Sequence, residues 1–243
     1  MALVLAGCHS NQGNTSTSTE SVKYANTAPP KGGDWTDVIN QTPDGGMMMG
    51  NPSAKVHLIE IASLGCPFCK HFADAGASHL VDYVKTGNFS WEFRPYIIHG
   101  PADMAANLIV RCDDPSKFFP LVRALYSDQQ SWMGKVEATP QDKLQQMQNL
   151  PTNQVFVAFA NVAGLQNWAA AHGLPEAKAN QCLTNQKMID REVQVTANVN
   201  TEYPGFTGTP YFVLNGTPID VTSVPLEKVW PTVDAKLKAA LAG

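Results

Sequence analysis

Six residues constrain this chain more than any others: Gly65-Cys66-Pro67-Phe68-Cys69-Lys70, directly behind the apolar run Val56-His57-Leu58-Ile59-Glu60-Ile61-Ala62. Two cysteines two residues apart, where a strand-like run yields to a helix-like one, form a pair that opens and closes as a disulfide. Pro67 suits the first helical position, because the N–H it lacks is one that a helix leaves unpaired. Behind it Phe68, Phe72, Ala75, His79, Leu80, Tyr83 and Val84 recur at helical spacing. Cys66 is therefore predicted at the helix N-cap, where free N–H groups and the helix dipole favour a thiolate. Lys70 and His71, one turn along, would add positive charge. A cysteine so placed has a lowered pKa and attacks disulfides. The competing reading is half of a structural zinc site, but such a site takes four ligands, usually in two paired clusters. The chain has no second C-x-x-C and no histidine pair at ligand spacing, and Cys8, Cys112 and Cys182 stand alone.

The 243 residues suffice for one large domain or two small ones, and 44% of them are apolar, enough for a sizeable core. A net charge of −4, with no basic run, offers nothing to a nucleic acid, and no apolar stretch approaches the ~20 residues that span a bilayer. At the start, Leu5-Ala6-Gly7-Cys8 resembles the lipobox of bacterial lipoproteins, in which the cysteine becomes the lipidated first residue of the mature chain. The basic segment of a signal is missing and the apolar part is short, so either the reading frame begins further upstream or the match is fortuitous. Residues 9–33 are rich in Ser, Thr, Asn and Gln and cannot bury a core. The organisation expected is a signal remnant over 1–8, a disordered tether over 9–33 and a folded domain over 34–243. This division assigns Cys8 to a lipid and leaves Cys112 and Cys182. In an oxidising compartment these two pair as a structural bridge, or they stand as buried free thiols; the sequence cannot place their Cα atoms.

Along the chain, Trp35 opens the first apolar cluster and Thr42-Pro43-Asp44-Gly45-Gly46 is a turn. Met47 to Met49 form a short edge strand or pack under the main sheet; soft thioethers also suit copper. The run 56–62 reads as a central strand covered on both faces. Glu60 interrupts it, either on a solvated edge or buried near the cysteines, where its pKa would rise and it could exchange a proton with a thiol. Residues 88–98 alternate and are rich in aromatics, a second strand parallel to the first, with Pro95 at its end or at a bulge, completing a right-handed βαβ unit. Then follow helical patterns over 102–112, 116–127, 140–149, 155–163, 165–172, 176–184 and 186–201, punctuated among other places at Gly134, an insert over about 100–204. Its aromatics Phe118, Phe119, Trp132, Phe156, Phe159 and Trp168 are assigned to the core. Strands return at 209–214 and 217–220, and Asn215-Gly216 between them is a hairpin signal. Pro225 opens a last helix with Val229, Val233, Leu237 and Leu241 on one face, and Pro231 is expected to kink or restart it.

These pieces resemble the DsbA-like form of the thioredoxin fold over residues 45–241. The resemblance rests on Glu60-x5-Cys66-Pro67-x-Cys69, on Gly208-Thr209-Pro210 before a strand, and on the size and position of the insert. It implies an α/β thioredoxin-like fold, a mixed central sheet flanked by helices with an all-helical insertion. It also implies roles: Cys66 the exposed nucleophile, Cys69 the buried resolving thiol, Glu60 the buried acid, and Pro210 a cis-proline facing the disulfide. The Thr209 backbone would then pair with a substrate strand. One departure is Phe68, where many DsbA-like oxidants carry histidine, which argues against a strongly oxidising potential.

The function expected is that of a periplasmic thiol:disulfide oxidoreductase, anchored by a lipid if Cys8 is modified. It would act through Cys66 and Cys69 on unfolded or reduced secreted proteins, as a monomer, with a membrane redox partner and neither metal nor organic cofactor. The alternatives are a disulfide isomerase or reductase of the same fold, and a thioredoxin-fold lipoprotein that captures copper(I) through Cys66, Cys69 and His71.

Overall fold

The computed structural model describes residues 28–243, so the signal remnant, most of the tether and Cys8 lie outside the described residues. The last tether residues, Pro30–Gly32, form a 3-10 turn, and Trp35 is already in the core.

Six strands form one mixed sheet: β1 (Ile39–Gln41), β2 (Met47–Gly50), β3 (Val56–Ala62), β4 (Phe89–Pro95), β5 (Tyr211–Leu214) and β6 (Thr217–Ile219), in the order β1-β2-β4-β3-β5-β6. β3 and β4 are parallel, with Val56 opposite Phe89 and Ala62 opposite Pro95. Parallel neighbours need a crossover, and α1 (Pro67–Lys85) supplies it. Pro95 ends β4, where its missing N–H costs no ladder bond. β5 runs antiparallel to β3 and turns into β6 through Asn215 (φ 48°) and Gly216 (φ 79°), the left-handed pair a type I′ turn requires. The methionine strand β2 is not an edge: it pairs with β1 on one side and β4 on the other, and Met47 and Met49 point into the core.

Cys66 is the N-cap of α1 and Pro67 its first residue. The buried face is Cys69, Phe72, Gly76, Ala77, Leu80 and Val84, so Ala75 and His79, expected on the apolar stripe, are exposed, His79 with one ring face stacked on Trp230. Gly76 replaces them because the Trp230 ring lies against the helix there, and an added Cβ would meet it at 2.5 Å.

The insert comprises α2 (Gly100–Val110), α3 (Phe118–Ser127), α4 (Gln129–Glu137), α5 (Gln141–Gln148), α6 (Thr152–Ala163), α7 (Leu165–Ala171), α8 (Glu176–Leu183) and α9 (Gln186–Glu202). The break expected at Gly134 is instead the interior of α4. A mid-helix glycine costs about 1 kcal/mol, and burying an aromatic of the size of Trp132 returns about 1.5–3 kcal/mol. The Trp132 indole N–H also donates to Leu125 O at 3.1 Å. Phe118, Phe119, Trp132 and Phe159 are buried as expected, whereas Phe156 and Trp168 are only half-buried against the core. Trp168 keeps its indole at the surface by donating to Asp128. Cys112 and Cys182 are joined as a disulfide, Cα to Cα 5.7 Å, linking the end of α2 to α8.

The sheet is covered on both faces. Leu58, Phe72 of α1 and Leu237 of α10 (Val229–Ala242) share the larger cluster. Ile59, Ile61 and Val213 point the other way, onto Val199 and Tyr203 at the end of α9. Buried Arg94 ties that end down, donating to Glu92 at 2.8 Å and to Glu202 at 2.7 Å. Pro231 does not kink α10: it is the third residue, where a helix has no N–H bond to lose. No helix among the described residues is long and apolar enough to cross a membrane.

Candidate active site

The pair sits where β3 delivers the chain to the N-terminus of α1. Both thiols are free. The Cys66 thiol is pulled down to about 5 by the Cys69 thiol first, then by the Thr209 side chain and the Phe68 and Cys69 amides of the first helical turn; burial opposes these. Cys69 is fully buried, and desolvation, followed by its bond to Cys66 and the charge there, pushes its thiol well above the ordinary range. The two thiols are thus chemically unequal. Lys70 takes no part: its ammonium pairs with Asp74 one turn on.

Thr209 and Pro210 close over the pair. The Thr209–Pro210 peptide is cis, and the Cys66 thiol donates to Thr209 O at 3.4 Å. The Thr209 hydroxyl, buried and otherwise without a partner, lowers both thiols. This cover corrects one expectation: Cys66 is only 3% exposed, while Pro67 is exposed and Phe68 is open at 55%.

Glu60 is 1% exposed, on the central strand, and accepts one bond, from the Trp91 indole at 3.0 Å. Burial outweighs that bond and raises its carboxyl from 4.5 to about 8. Below pH 4.5 the group is neutral folded or unfolded. Between 4.5 and 8 the folded chain holds a proton that the unfolded chain has released, so this group's stabilisation is full below 4.5 and is lost as pH rises toward 8. The full loss is about 5 kcal/mol, at about 1.4 kcal/mol per unit. Glu60→Gln, which cannot ionise, is expected to flatten the fall in urea midpoint of the oxidised protein between pH 5 and 9. Equal slopes for both proteins would contradict the assignment.

Three further residues shape the site, and the sequence reading missed them. Asp103 of α2, 0% exposed, accepts from the Ser63 hydroxyl (2.7 Å), the amides of Gly65, Ile98 and His99, and Asn107. Gln129 of α4 donates to Leu64 O at 2.7 Å and Cys66 O at 3.0 Å. Tyr126 of α3 donates to Ser63 O at 3.1 Å. Burial raises its phenol strongly, and the charges of Cys69, Glu60, Asp103 and Cys66 add to the effect. The insert therefore grips the loop 63–66 from behind. The one legible signal was Asp103, the single charged residue of a mostly apolar helix. For the copper alternative, the described residues place no third His, Cys, Asp or Glu ligand beside Cys66 and Cys69.

Fold and site together define a class, a thioredoxin-fold protein whose C-x-x-C begins a helix opposite a cis-proline. A family model described as Thioredoxin matches residues 42–229. The chain belongs to the thioredoxin family, and it carries a helical insert between β4 and β5. It is similar to the solved protein-disulfide isomerase of Novosphingobium aromaticivorans, 27% identical with a TM-score of 0.74 over 81% of this chain and 97% of that one. It shares its fold with Wolbachia pipientis alpha-DsbA1, at 20% identity and a TM-score of 0.60 over 83% of this chain and 92% of that one. Among curated sequences it is 23% identical over 204 residues to a protein of Rickettsia prowazekii provisionally named a protein-disulfide oxidoreductase. That match covers 83% of this chain but 65% of the longer relative.

Proposed function

We propose that the protein is a thiol:disulfide oxidoreductase that forms disulfides in secreted proteins. The observation that carries the reading is the inequality of the two thiols, about 5 for Cys66 against a strongly raised Cys69. In the oxidised protein a substrate thiolate attacks Cys66 Sγ. A sulfur–sulfur bond to substrate forms as the Cys66–Cys69 bond breaks, and Cys69 leaves as a thiolate that takes up a proton. The substrate's second thiolate then attacks its own sulfur in the mixed disulfide, releasing the Cys66 thiolate. Two electrons pass from the substrate to the pair. Glu60, buried on the strand that leads into the pair and neutral near pH 7, is the proton donor and acceptor for the buried thiol. The Thr209 backbone beside Pro210 offers a strand edge for the substrate.

The setting that fits is the periplasm, with Cys8 as a lipid anchor, a membrane partner to reoxidise the pair, no metal or organic cofactor, and a monomeric chain. The names of the Rickettsia and Novosphingobium relatives support disulfide exchange. The test is stoichiometric: oxidised protein mixed with a reduced dithiol peptide should yield oxidised peptide and reduced protein in equal amounts by mass. A peptide left reduced under these conditions would overturn the reading.

Phe68 sets the strength of the oxidant. The strongest oxidant of this type has a thiol near 3.5 and a potential of about −120 mV. With Cys66 at about 5, the thiolate is less stabilised than in that oxidant, which places the potential lower. Phe68→His, adding an imidazolium at an exposed position, is expected to lower the Cys66 pKa and raise the potential together, which a titration of the thiolate absorbance and a glutathione equilibrium would show. A wild-type thiol already near 3.5, or no response to histidine, would refute this account.

A further inference from the structure

A groove of about 780 Å³ runs from Phe68 past Thr209 and Pro210 to the outer edge of β6. Its walls are apolar, with Val221, Val224, Leu226 and Val229 among them, and Asp220 is the single charged side chain among the described residues that line it. That carboxylate is held in place. Its Oδ1 accepts from the Thr222 amide at 2.9 Å and the Thr222 hydroxyl at 2.7 Å, while Oδ2 makes no protein hydrogen bond in the described structure. The Thr222 bonds also lower its pKa, so it is ionised at neutral pH.

Position gives this charge a meaning. Phe212 pairs with Ile219, and just beyond that pair Asp220 lines the groove with Tyr211 and is near enough to act on its phenol, two residues from the Thr209 carbonyl that takes the Cys66 thiol. Thr209, Tyr211 and Asp220 line the same groove, which brings the carboxylate within reach of a long side chain on a segment whose cysteine lies at Cys66. We infer that Asp220 is a specificity-determining residue that selects reduced segments carrying a lysine or arginine close to the reacting cysteine, and disfavours those with an acidic residue there. The occupant is an extended stretch of a substrate protein, apolar beside its cysteine and basic two residues away. The charge complementarity rests on the exchange function proposed above, but the binding preference is separable from turnover.

The experiment uses dithiol peptides identical except for Lys, Ser or Glu two residues to either side of the first cysteine, and matching peptides with Ser in place of each Cys. Oxidation by the full chain gives kcat/KM, and the cysteine-free peptides give Kd without chemistry. Lys over Glu by about fivefold in both measurements, shrinking as salt is raised, is expected from a partly exposed charge pair. Asp220→Asn, whose amide oxygen can keep the Thr222 bonds, should remove the preference, and Asp220→Lys should reverse it. Equal Kd values for the three cysteine-free peptides, or a preference that survives in Asp220→Asn, would overturn the inference. A Lys preference in Kd with no oxidation of any peptide would instead leave the inference standing and sink the oxidase reading.

Discussion

Cys66→Ala is expected to reduce disulfide exchange to background, whereas Cys69→Ala is expected to accumulate covalent adducts with substrates. The asymmetry follows from the site. Cys66, at about 5, is a thiolate at neutral pH and forms the mixed disulfide. When the reduced Cys66 thiolate opens a substrate disulfide, the reverse of substrate oxidation, Cys69 is the thiol that attacks Cys66 Sγ and releases the substrate. Without Cys66 no bond to substrate forms, and removing the nucleophile of such a site typically costs about 10⁴-fold or more. Without Cys69 the adduct that Cys66 forms on a substrate disulfide has no internal thiol to release it and stays until a substrate or outside thiol does so. Non-reducing electrophoresis of each variant incubated with cell extract reads both outcomes. Adducts on the Cys66 variant and none on the Cys69 variant would reverse the assigned roles. The pH dependence is a second reading of the same residue: alkylation of the reduced protein at Cys66 should reach half its plateau rate near pH 5. As the Cys66 pKa is depressed, its contribution to the stability of the reduced fold is present above the free-thiol value of 9 and is lost as pH falls through 5.

The second large effect concerns stability. The Cys112–Cys182 disulfide closes a loop of 70 residues and fastens α2, which carries Asp103, to α8. On the chain-entropy account such a closure stabilises by about 4 kcal/mol. For a domain of this size each kcal/mol corresponds to roughly 2–4 °C, so the double variant Cys112→Ala/Cys182→Ala should melt about 8–16 °C lower. Neither sulfur touches the redox pair, so exchange measured well below the melting range should be retained. A melting temperature unchanged by the double substitution, or two alkylatable thiols at these positions in protein isolated from its own compartment, would defeat this account.

The legible parts of the site were those carried by neighbouring residues. Proline after the first cysteine and an apolar run before it place Cys66 at a helix N-cap, and both signals lie within a few residues of it. Asn215-Gly216 set the β5–β6 turn in the same way. Gly134 misled because propensity is a local quantity, and the burial of Trp132 outweighed it. The apolar stripe of α1 shifted off Ala75 and His79 because Trp230, far along the chain, occupies one side of the helix.

The sequence by itself determined where the two cysteines and their cover fall, since a C-x-x-C at a strand-to-helix junction, with Thr-Pro before a later strand, places the pair proposed to be redox-active through short-range geometry. Only the tertiary structure decided how that pair is held and tuned. Asp103 reaches Ser63 across 40 positions, and Gln129 reaches Cys66 across 63. Glu60 becomes a protonated acid only because the sheet and its covering helices exclude water from it. A buried charge's energy depends on everything that surrounds it, and that surrounding is assembled from segments whose spacing in the chain carries no record of their contact.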